Sequence, residues 1–104
     1  MSGPNSGQNQ VSIKKEMGSS HQDIFRILPR VMEGRDYTVD GKLILIEEPE
    51  RRLEIHLADQ RERVLGPLVR LQVTDVELIF FNYSEDDRVS FMKFFEINFF
   101  KGGG

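Results

Sequence analysis

His56 is the side chain here best suited to exchange a proton near neutral pH, so its neighbours come first. It lies in Arg52-Leu53-Glu54-Ile55-His56-Leu57, where polar and apolar residues alternate. On an extended strand residues two apart share a face. Arg52, Glu54 and His56 therefore form a polar row, backed by Leu53, Ile55 and Leu57. A carboxylate beside an imidazole is the arrangement that orients a general base. The same row is what a solvated strand carries as cross-strand ion pairs, and that reading is preferred. Asp75 belongs to the catalytic alternative. The apolar phase of "LVRLQVTDVELIFF" shifts by one residue at Thr74-Asp75, which predicts a bulge or break, and bulges re-aim side chains.

Other chemistries lack their parts. The chain of 104 residues has no cysteine, which removes disulfides, thiolate nucleophiles and the commonest structural zinc sites. His21 reads as a first-turn helix residue without a chemical role. It does not stand at metal-ligand spacing from His56, and no metal or cofactor is expected. Glu47, Glu48 and Glu50 crowd a turn without the oxygen-rich loop of a calcium site, so they read as solvated charges. Gly34, Gly41 and Gly66 are isolated and build no phosphate cradle. No Gly-x-Ser-x-Gly elbow occurs. Arg51, Arg52, Arg61 and Arg63 suggest a basic edge, but Glu47, Glu48, Glu50, Glu54, Asp59 and Glu62 outnumber them. With a formal charge of −3 there is no positive track for phosphates, and no nucleic acid is expected.

The elements that would carry these groups follow from spacing. Residues 1–18 are rich in Gly, Ser, Asn and Gln and cannot offset the entropy of ordering themselves, so they read as a disordered tail. The alternative is that "QVSIKK" adds a short edge strand. Residues 19–104 read as one small domain. Ser20, three residues before Asp23, predicts a helix start. Ile24, Ile27, Leu28 and Val31 then recur at helical spacing. Pro29 predicts an end or kink near Leu28, with a further turn to Gly34 as left-handed terminator. Asp40-Gly41 predicts a two-residue hairpin turn needing positive φ at both positions. "ADQRERVLGP" reads as a long connection or as a hairpin arm closed at Gly66-Pro67. A second helix is predicted from Ser84, with Asp87 three residues on, ending at Lys101 and Gly102. The expected fold is α+β: a two-layer sandwich with one antiparallel sheet of about four strands and both helices on one face, in the order α-β-β-β-β-α.

The last helix carries five of the eight phenylalanines, all in "VSFMKFFEINFF". At 100° per residue Phe91, Met92, Phe95 and Phe99 make one stripe for the sheet, with Phe94 at its shoulder. Val89, Lys93, Ile97 and Phe100 project to the other side. Either the first helix covers that side through Ile24, Ile27 or Val31, or a partner does. No apolar run is long enough to cross a bilayer, and the N-terminus lacks a signal-peptide core, so a cytoplasmic chain without membrane contact is expected. The expected role is a non-enzymatic protein-interaction or assembly module. It would dock another protein or a second copy of itself, as a homodimer, through Val89, Lys93, Ile97 and Phe100 or through a sheet edge. The alternative is a small-molecule-binding or enzymatic domain built on Arg52, Glu54, His56 and Asp75.

Overall fold

Two serines set the helix starts in the computed structural model, which describes residues 9–100. The elements are β1 (Gln10–Met17), α1 (His21–Met32), β2 (Thr38–Asp40), β3 (Leu43–Glu47), β4 (Arg52–Leu57), β5 (Arg61–Val64), β6 (Arg70–Phe81) and α2 (Glu85–Phe100). The Ser20 hydroxyl accepts from the Asp23 amide at 3.1 Å, and that of Ser84 from the Asp87 amide at the same distance. Each bond satisfies an amide that the helix itself leaves free. The strands form one antiparallel sheet of six in the order β1-β6-β4-β3-β2, with β5 also paired to β6.

The α+β class and the antiparallel sheet agree with the expectation, but the sheet has two more strands than the four expected. One is β1. Gln10–Met17 lies within the expected tail, yet it pairs along its whole length with β6, from Gln10 opposite Phe81 to Met17 opposite Thr74. The entropy argument fails there because the segment does not order alone: β6 supplies the ladder, and Val11, Ile13 and Met17 turn toward the core. Lys15 shares that inward face and ends in a salt bridge to Glu96 of α2. The other addition is β5, so "ADQRERVLGP" forms the hairpin arm rather than a connection. A backbone bond from the Leu65 amide to the Val69 carbonyl (2.8 Å) closes its tip.

The shift of phase in β6 has a specific cause. Leu57 pairs with Val76 and Arg61 with Val73, so Ala58, Asp59 and Gln60 face only Thr74 and Asp75. The extra residue lies on the opposing arm, while β6 itself runs unbroken. His21, expected to have no role, secures this spot: its Nε2–H donates to the Ala58 carbonyl (2.8 Å) and its amide to Gln60 Oε1 (2.8 Å). Val73 and Thr74 are consequently both buried, and the Thr74 hydroxyl donates to the Ser19 carbonyl at 2.9 Å.

Three local expectations shift by a residue or so. Asp40 pairs with Leu43, which makes Gly41-Lys42 the hairpin turn, and only Gly41 has positive φ (62°). Pro29 sits inside α1 without ending it. Left-handed backbone begins one residue earlier than expected, at the cap Glu33 (φ 53°), whose amide donates to the Pro29 carbonyl, and includes Gly34 (φ 83°) as expected. The expected stop at Lys101 and Gly102 lies outside the described residues, as does the start of the expected tail.

Both helices cover the same sheet face. Ile44 and Ile46 of β3, Leu53, Ile55 and Leu57 of β4, and Val76, Leu78 and Phe80 of β6 share one core with Ile24, Leu28 and Val31 of α1 and Phe91, Phe95 and Phe99 of α2. Phe80, Phe91, Phe95 and Phe99 form a relay of rings with centroids 4.6–6.1 Å apart. Burial of this size dominates the folding free energy at roughly 1.5–3 kcal/mol per large apolar side chain.

Candidate interaction surface and polar face

On the uncovered sheet face the predicted polar row is present. Glu54 Oε1 accepts from His56 Nε2–H at 2.8 Å, and Glu54 Oε2 accepts from Arg52 Nη2. Arg52 also lies over the Phe81 ring, 5.4 Å from its centroid. Burial of the Glu54 carboxylate acts to raise its pKa, but the hydrogen bonds from His56 and Arg52 outweigh it and hold the group below the usual glutamate value.

Register places Leu43 and Glu77 on either side of His56. Asp75 is not drawn into this row. Its two carboxylate oxygens accept from Arg61 at 3.1 and 3.2 Å, and Arg61 also binds Glu16. The Ser12 hydroxyl donates to Glu77, and among the described residues no nucleophilic side chain hydrogen-bonds to His56. His56 and Asp75 do line one concavity of about 570 Å³ together with Lys14, Glu16 and Glu77, while Arg52 and Glu54 lie outside it. Among the described residues the His56 ring is hydrogen-bonded to Glu54 alone, so the row makes an oriented imidazole at the edge of a polar depression, with Asp75 committed to Arg61. Each of the four arginines of the suspected basic edge is paired with a carboxylate: Arg51 with Glu48 and Asp87, Arg52 with Glu54, Arg61 with Glu16 and Asp75, Arg63 with Glu16. Among the described residues no group of three or more His, Asp or Glu is placed to hold a metal ion. No described helix is long and apolar enough to cross a membrane.

The far side of α2 presents different chemistry. The two helices touch, yet α1 leaves Val89, Ile97 and Phe100 open at 51%, 47% and 44% of their surface. With Lys93 they form one stripe at i, i+4, i+8 and i+11, spread over about 80° of the helix circumference. Glu96 projects near that stripe and reaches Lys15, so the exposed residues adjoin β1, whose outer edge carries no further strand among the described residues.

The sequence reasoning passed over a second apolar surface. Val64, Leu65, Leu68 and Val69 at the tip of the β5–β6 hairpin are all exposed, Leu68 at 93%. The signal was present in "VLGPLV", a turn flanked by apolar residues on both arms. The tip is a surface because, among the described residues, none covers these side chains. Searches of protein-family models, curated proteins and solved structures matched nothing to this chain.

Proposed function

We propose that this chain is a non-enzymatic assembly module that pairs with a second copy of itself through the outer side of α2 and the adjoining edge of β1. The observation that carries this reading is the open stripe of Val89, Ile97 and Phe100, which the molecule's own first helix does not cover. Isolated exposed apolar residues are ordinary, whereas three on one side of one helix, with Lys93 between Val89 and Ile97, form a surface that a partner can cover. A two-fold contact buries the same patch on both partners, so each side chain counts twice. Covering half of a large apolar side chain contributes on the order of 1 kcal/mol, and three residues on each copy supply six such increments. Lys14 and Lys15 guard the β1 edge against indiscriminate strand pairing, which leaves α2 to provide selectivity.

Replacement of Phe100 by Glu tests this reading, since the side chain lies outside the core. The expected result is at least a tenfold weaker self-association, with an unfolding midpoint that matches the wild type at concentrations where both are monomeric. Equal association of wild type and variant would overturn it. Association of wild type only with a different protein would also overturn the second-copy assignment while preserving the surface.

A further inference from the structure

The two buried side-chain polar atoms without a hydrogen-bond partner among the described residues, Tyr83 Oη and Arg35 Nη1, belong to residues lining one cavity. This cavity of about 230 Å³ lies between the end of α1 and the first half of α2, with Val31, Phe91 and Phe94 as apolar walls and Arg35, Arg51 and Tyr83 as polar ones. It exceeds the roughly 150 Å³ that accommodates benzene and falls short of the ~300 Å³ where drug-sized sites begin. We propose that it is a binding site for a small aromatic carboxylic acid, whose ring lies against Phe91, Phe94 and Val31 and whose carboxylate accepts from Arg35 and the Tyr83 hydroxyl.

Arg35 Nη1 can only donate and the Tyr83 hydroxyl can donate, so a single acceptor group would satisfy both. Tyr83 is only 4% exposed, and burial raises its pKa, which keeps the phenol in its O–H form. Buried donors are ordinarily satisfied because leaving one unpaired destabilises the fold. The charges discriminate further. Arg51 is occupied by Glu48 and Asp87, and Asp87 is in turn held by Arg51 at 2.8 Å. Arg35 lies 5.7 Å over the Phe91 ring and makes no ion pair among the described residues. Glu33 also lines the cavity, but it sits on the exposed left-handed cap of α1, where water screens it. Ser90 offers a third hydroxyl at the rim. A guanidinium free of carboxylates beside aromatic walls suits an aromatic anion better than an inorganic one, which would leave the walls unfilled.

Titration with benzoate, followed through backbone amide resonances, tests the assignment on the intact chain. Benzoate should shift the amides around Tyr83 and Phe91 saturably. Benzyl alcohol and inorganic phosphate should bind at least about tenfold more weakly, because each lacks one half of the match. Arg35→Met should weaken benzoate by about tenfold or more, as loss of a charged hydrogen bond requires, and Tyr83→Phe by about threefold to tenfold. Tyr83→Phe keeps the ring that packs edge-on against Phe80, so it reports on the hydroxyl with the fold intact. No saturable shift up to roughly 50 mM benzoate, or benzyl alcohol or phosphate binding as well as benzoate, would overturn the proposal. So would undiminished binding in both variants. Phe100→Glu should leave benzoate binding unchanged, which separates this site from the self-association surface.

Discussion

The Arg51 guanidinium lies 4.4 Å over the ring of Tyr83 while its Nε–H donates to Glu48 at 2.6 Å and its Nη1 to Asp87 at 2.8 Å. One side chain thereby ties the β3–β4 turn to the start of α2, and it does so with only about a quarter of its surface open. Ion pairs in full solvent contribute little, but here planar stacking and two carboxylates act together. Arg51→Ala should lower stability by about 1–3 kcal/mol, measured by urea unfolding. Arg51→Lys should recover less than half of the loss, since an ammonium cannot stack and fork at once.

Thr74 is fully buried, and its hydroxyl bonds the Ser19 carbonyl. Thr74→Val keeps the shape and leaves that carbonyl without its partner. The expected loss is about 1–2 kcal/mol in the same assay. An equally stable variant would mean that the junction between β1 and α1 does not depend on this bond.

Glu54 supplies a pH dependence whose sign follows from its surroundings. Burial alone would raise its pKa, but the bonds from His56 and Arg52 prevail, so the folded value lies below the unfolded one. The ionised form therefore contributes stability in full above the ordinary glutamate range, about pH 4.3. That contribution is lost as the pH falls through the depressed folded value. The stability difference between wild type and Glu54→Gln should be largest near neutrality and shrink below about pH 4. A difference that stays constant across that range would contradict the assignment of Glu54 as the anchor of the polar row.

The tip of the β5–β6 hairpin gives a control for surface against core. Leu68 is almost fully exposed, so Leu68→Ser should change stability by less than about 0.5 kcal/mol. Phe95→Ala, which removes a buried ring from the relay along α2, should cost about 3–5 kcal/mol. Chemical denaturation of the two variants side by side checks both values.

What could be read from the sequence was what local spacing encodes. Ser20 and Asp23 declared a helix start because both ends of that bond lie three residues apart, and the alternation around His56 declared a wet strand face. The slipped phase at Thr74 was visible, but not its cause, because the extra residue lies on the arm across from it, held by His21. β1 was legible only as the alternative reading of "QVSIKK", because the segment has few apolar residues and Lys15 stands where a core-facing strand should be apolar. Glu96, far along the chain, makes that position tolerable. The cavity groups Arg35, Arg51 and Tyr83 come from three loops with no spacing rule to connect them. Packing decides such juxtapositions, and packing is not a local property.

Sedimentation equilibrium of the wild-type chain over about a hundredfold range of concentration tests self-association most directly. The open stripe of Val89, Ile97 and Phe100 predicts an apparent mass that rises from monomer toward twice that value, and Phe100→Glu should hold it at the monomer. A wild-type chain that stays monomeric throughout the range would contradict the proposal.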